Sequence, residues 1–210
     1  MAVLYGFCPE AALDTFSLGR GLMPFIKDCM RYPDKVELAA DDLTDNCAFV
    51  SSLVVRLMGV RRIKIFVHRS SMDFISPKTF KEVSVPNLKR LAEVLVAKGI
   101  GPILHLDGNW DLNLETLREL SAGYCVVQFD DPTDIFLAKE VIGDRICIMG
   151  DVPADMPCLD STSEVDEYCH RPIEEVGKGG GYVMGAGYEM PPNARPENFR
   201  TMIESVNKYG

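Results

Sequence analysis

Residues 101–110 read Gly101-Pro-Ile-Leu-His-Leu-Asp-Gly-Asn-Trp110, GPILHLDGNW. The apolar run from Pro102 to Leu104, with Leu106 beyond it, has the length and composition of a short buried strand. A histidine, a carboxylate and a glycine turn follow where that strand ends. Side chains alternate faces along an extended chain, so His105 and Asp107 point one way and Leu106 the other. Two titratable groups aimed at one place from the end of a buried strand are costly unless something there engages them. In parallel α/β folds that place is where ligands bind. The competing reading makes His105 a satisfied core histidine and Asp107 a turn or capping residue.

Outward from this stretch the same alternation repeats. IKIFVH (63–68), YCVVQFD (124–130), RICIMGDV (145–152) and GYVMGAG (181–187) read as strands. Between them lie helical patterns at 76–99, 113–123, 132–143, 161–180 and 196–210. Ser76-Pro77 supplies an N-cap and a first helical residue. Ser163, three residues before Asp166, resembles a capping box. Strands alternating with helices call for a parallel sheet with crossover connections. The expected fold class is α/β, a parallel (β/α) barrel of the TIM type left incomplete, with five or six strands of eight. Residues 1–210 read as one domain, the C-terminal portion of such a barrel. Residues 1–58 are a mainly helical lead-in: VLYGF (3–7) is a candidate strand, 11–32 a loop leading to a helix, and 33–58 a long amphipathic helix ended by Gly59.

Polar residues gather where every strand ends: His68; His105 with Asp107; Gln128 with Asp130; Asp151; Tyr188 with Glu189. The carboxyl ends of barrel strands form the active-site face. These residues are therefore candidates for a shared site, with Asn109 as a turn and Trp110 as an apolar wall beside it; the competing reading seats Trp110 in the core under the next helix. The bland alternative, that aspartates cap the following helices, applies best to Asp130 and Asp151.

Composition narrows the partners. The chain has 210 residues, 47% of them hydrophobic and 25% charged, the balance of an ordinary globular domain. A net charge of −9 and a pI near 4.9 argue against a nucleic-acid surface. No apolar run approaches the roughly 20 residues of a membrane span, and MAVLYGFCPE lacks the pattern of a signal peptide. Seven cysteines without a CxxC pair read as reduced thiols in a cytoplasm.

FISPKTF (74–80), ILHLDGN (103–109), IMGDVP (148–153) and above all GKGGGYVMGAGYEMPPNARPENF (177–199) carry a resemblance. From about Gly59 onward the chain resembles the uroporphyrinogen decarboxylase superfamily, especially its corrinoid-dependent methyltransferase branch. The resemblance implies a (β/α)8 barrel with its site at the C-terminal face. It also implies methyl transfer between a corrinoid carried by a partner protein and a small acceptor, a thiol or a reduced folate. Methyltransferases of this kind hold zinc through an acidic residue, a His-x-Cys pair and a later cysteine. Here those positions are His68, His105-x-Asp107 and Tyr188. The expected catalytic set is thus His105, Asp107 and Tyr188. The expected substrate contacts are Asn109, Trp110, Gln128, Asp130, Asp151 and Glu189. His68, His105 and Asp107 form a two-imidazole, one-carboxylate set for a cation such as zinc. Because the family cysteines are replaced, the methyltransferase-like barrel could be inactive as this fragment, and the alternative is a decarboxylase-like barrel that binds a tetrapyrrole or other small ligand without catalysis. That branch has a histidine where Tyr188 stands and an N-terminal Arg/Asp segment not found here. Fewer than eight strands leave open edges, so the chain is expected to associate as a homodimer.

Overall fold

A computed structural model describes residues 6–7 and 10–210. Six parallel strands form one sheet whose spatial order is the chain order. They are β1 (Gly6–Phe7), β2 (Arg62–Val67), β3 (Gly101–Leu106), β4 (Val126–Phe129), β5 (Cys147–Val152) and β6 (Tyr182–Ala186). Among the described residues the sheet does not close on itself, which makes it an incomplete barrel. Of the candidate strand at 3–7, residues 3–5 lie outside the described residues, as does Cys8.

The helices are α1 (Ala12–Arg20), α2 (Leu22–Arg31), α3 (Pro33–Met58), α4 (Pro77–Thr79), α5 (Val85–Ala97), α6 (Leu114–Leu117), α7 (Ile135–Ile142), α8 (Met156–Leu159), α9 (Thr162–Glu175) and α10 (Pro196–Tyr209). The long helix from Pro33 ends at Gly59 in a left-handed cap, as expected. The segment before it is two helices, not a loop and a helix; Gly21, at φ +87°, forms the corner between α1 and α2. Ser76 caps α4 by accepting from the Thr79 amide at 3.1 Å. A π-helical turn, Phe80–Ser84, then leads into α5. The capping box of α9 belongs to Ser161 and Glu164, whose side chains exchange hydrogen bonds with each other's backbone amides. Ser163 and Asp166 were the wrong pair. Asp166 instead ties α9 to α10, accepting from Ser205 Oγ (2.7 Å), Lys208 Nζ (2.7 Å) and Tyr209 Oη (2.9 Å).

Aligned residues of parallel strands share a face. Register places Ile65, Leu104, Val127 and Ile148 in one row, with Val67, Leu106 and Phe129 in the next. These rows pack beneath the helices and form the main core. The opposite face carries Phe66, His105, Gln128, Met149 and Val183 in one row. That face would look into the barrel. A smaller core of Val152, Val165, Cys169, Ile173 and Met202 seats α9 and α10. Among the described residues no helix is long and apolar enough to cross a membrane.

Candidate active site

Two consecutive strands deliver the centre of the site. His68 is the first residue past β2 and Asp107 the first past β3. The Asp107 carboxylate sits between two imidazoles. Its Oδ2 receives His68 Nδ1 in a short hydrogen bond, and its Oδ1 lies 2.9 Å from His105 Nε2. The rings of His68 and His105 meet edge to face at 6.0 Å. Phe66 stacks on His68 at 5.2 Å, and Tyr188, in the loop after β6, stands 6.1 Å from His105. His68, His105, Asp107 and Tyr188 therefore come together from three strand ends.

Exposure grades this cluster. The side chain of His105 is buried, that of Asp107 is 18% exposed and that of His68 31% exposed. Burial pushes the Asp107 carboxyl up, but its contacts with His105 and His68 outweigh that and hold it well below the usual carboxylate range. The hydrogen bond to Asp107 raises the His68 imidazole against the opposing effect of burial. With Nδ1 turned to the carboxylate, His68 keeps Nε2 as its accessible nitrogen. His105 Nδ1 is buried without a hydrogen-bond partner among the described residues.

The remaining strand-end residues divide. Gln128 shares the His105 row; its Nε2 donates to the Ala186 carbonyl at 3.0 Å, and its Oε1 is buried without a partner among the described residues. Asp130 accepts from the Gly108 amide at 3.0 Å, and burial pushes its carboxyl up to about 6. Burial likewise raises Asp151 to about 6. Asp151 lies beside Tyr168 of α9, whose hydroxyl donates to its carbonyl at 3.5 Å. Tyr188 and Glu189 are exposed.

Of the expected substrate contacts, Trp110 is corrected and Asn109 is found bonded within its own loop. Trp110 does not wall a pocket: it is fully buried, edge-on to Phe80 at 5.2 Å, with its indole N–H donating to the Asp107 carbonyl at 2.9 Å. A flat apolar ring following a glycine turn is driven under the next helix by burial of its area. Asn109 is a loop brace. Its Nδ2 donates to Pro132 O (2.8 Å) and Asp111 Oδ2 (3.3 Å), and its Oδ1 accepts from the Asp111 amide (3.0 Å).

The expected zinc set is not assembled. Among the described residues no group of three or more His, Cys, Asp or Glu is placed to hold a metal ion. His68 Nδ1 and His105 Nε2 both face Asp107.

Two residues escaped the sequence reading. Lys64 lies two positions before Phe66 on the same face, nearly buried, with Nζ 5.3 Å from the Phe66 ring. Burial lowers its ammonium, while Asp107 and Glu189 pull it back up. Its alternation with Phe66 and His68 in IKIFVH was a legible signal. Asp14, on α1, carried none.

A sequence profile of the family described as Uroporphyrinogen decarboxylase (URO-D) matches residues 13–209. The chain belongs to this family. Among curated relatives, the uroporphyrinogen decarboxylase of Methylococcus capsulatus is 33% identical over 103 residues, covering 49% of this chain and 27% of that protein. The uroporphyrinogen decarboxylase of Pseudoalteromonas atlantica is 21% identical over 180 residues, covering 84% of this chain and 49% of that protein. The chain thus spans about half the length, or less, of these relatives. Among solved structures, a methyltransferase from Methanosarcina mazei superposes with a TM-score of 0.81 at 19% identity, covering 98% of this chain and 59% of that one. At that identity the likeness shows the fold.

Proposed function

We propose that this chain carries the reaction centre of a barrel methyltransferase. In this reading it moves a methyl group between a corrinoid held by a partner protein and a small acceptor that needs no thiolate, such as a reduced folate. The observation that carries the reading is the Asp107 carboxylate held between His68 and His105. It stands at the positions where the resemblance implies a zinc–thiolate centre. A thiol acceptor needs help to ionise; a ring nitrogen needs only a base for its proton. The corrinoid would supply the methyl group. On transfer of that methyl group to the acceptor nitrogen, the corrinoid would retain the electron pair of the broken bond. The acceptor's N–H proton passes to His68 Nε2. Asp107 fixes the tautomer of His68 and stabilises the imidazolium that results. His105 and Trp110 hold Asp107, and Tyr188 covers the cluster. The fold neighbour named a methyltransferase is consistent with this reading. The free cysteines suit a reducing compartment, so we place the protein in the cytoplasm.

A second reading is a decarboxylase-like barrel that binds a tetrapyrrole. It is favoured by the curated relatives, which are named uroporphyrinogen decarboxylases. One experiment separates the two. The protein is incubated with methylcobalamin and either tetrahydrofolate or a thiol, and the corrinoid spectrum is followed. Demethylation with the folate, lost in H68N, supports the first reading. No demethylation with either acceptor, together with saturable uroporphyrin binding by absorbance, supports the second.

A further inference from the structure

We infer that Asp14 is a positioning residue that sets the His68 imidazole against Asp107. Among the described residues β1 pairs with β2 through Gly6 with Ile63 and Phe7 with Lys64. From Phe66 onward the helical lead-in takes over as partner. The Ala11 amide donates to the Phe66 carbonyl at 3.0 Å. Two residues into α1, Asp14 then accepts from the backbone amides of His68 and Arg69, both at 2.7 Å and both on Oδ1. Asp14 is wholly buried, and its Oδ2 has no partner among the described residues. A buried carboxylate with one oxygen idle is expensive. Here the charge-assisted pair fixes the peptide from which the His68 ring departs. Ser17 supports the same corner, donating to the Asp14 carbonyl at 3.0 Å and standing 3.5 Å from the Arg69 guanidinium. His68 is therefore gripped twice, by its backbone from α1 and by its ring from the end of β3.

The assignment rests on the proposed role of His68, but its test needs no turnover. A failed methyl-transfer assay and a failed positioning test remain distinguishable. The readouts are the His68 Nδ1 proton, seen by NMR as a downfield resonance lost in D107N, and hydrogen exchange at the His68 and Arg69 amides. In the unaltered protein both amides exchange as slowly as those inside β2; rapid exchange there overturns the proposal without any variant. D14A is expected to lose the ring resonance and the amide protection, while D14N, which keeps an acceptor oxygen in place, restores both. S17A, which touches only the corner, leaves the ring resonance unchanged. A folded D14A that keeps the ring resonance overturns the proposal. If D14A does not fold, D14N decides: retention of both signals supports the assignment and their loss refutes it.

Discussion

The indole N–H of Trp110 donates to the backbone carbonyl of Asp107 at 2.9 Å, from a ring that no solvent reaches. The residue expected at a pocket mouth thus holds the central carboxylate from beneath. W110F would keep most of the apolar area and leave that carbonyl without its donor. Losing one such bond costs about 1–3 kcal/mol, which urea denaturation at neutral pH measures. The intrinsic fluorescence of the unaltered protein should be blue-shifted and insensitive to iodide.

D107N tests the bridge itself. Asp107 raises the His68 imidazole, so neutralising it is expected to lower the His68 titration midpoint in an NMR pH series. An unchanged midpoint would mean that the two side chains do not share a proton in solution.

Stability is expected to be highest under mildly acidic conditions. Asp14, Asp130 and Asp151 are each raised from 3.8 to about 6, all chiefly by burial. In that window the folded chain binds more protons than the unfolded one, so stability falls as pH rises from about 4 past 6. His68 adds to the trend: its raised folded value stabilises fully below its unfolded value and is lost as pH rises through the folded one. Asp107 acts oppositely, its contribution present above its unfolded value and lost as pH falls toward the lowered folded one. The melting temperature should therefore be higher near pH 5 than near pH 8 (~ values from this linkage), with a shallower slope in D130N.

Gly108 allows the turn between Asp107 and the Asn109 brace. Its φ is +83°, and an added Cβ would meet Asp73 Oδ2 at 2.3 Å and Ser71 Oγ at 2.7 Å. G108A is expected to destabilise by an amount on the order of 1–3 kcal/mol for the backbone alone, read by thermal unfolding. The loop connecting β2 to α4 should loosen with it, because the same Asp73 oxygen accepts from the Asn109 amide at 3.1 Å.

Self-association is expected at the open side of the sheet. Among the described residues β6 has a strand partner on one side only, and α10, the next element in the chain, exposes Phe199, Ile203 and Val206 along one helical stripe. Light scattering at micromolar concentration should give the mass of a homodimer, and I203E should reduce it toward one chain. A monomer at every concentration would refute the expectation.

The strands and their shared polar end were legible because alternation survives in short apolar runs. IKIFVH and GPILHLD place one row under helices and the other toward the site, and register aligns them as read. The long helix at Pro33–Met58 was legible from its period and its closing glycine. Trp110 was not, because a ring after a glycine turn fits a wall and a core equally well until Phe80 is known to face it. Asp151 sits at a strand end as expected, yet its neighbour Tyr168 comes from a helix that strand periodicity does not place. Asp14 left no local trace, since its partners are 54 and 55 residues away and are backbone amides, which every residue but proline carries.

The identity of spatial and chain order in the sheet bears on how the protein is made. Each strand pairs with the one synthesised just before it, so a nascent chain can lengthen its sheet one strand at a time as it leaves the ribosome. Asp14, His68, His105 and Asp107 all precede β4. The His68–Asp107–His105 cluster can therefore form before β4, β5 and β6 have been added, and Tyr188 reaches it only after β6.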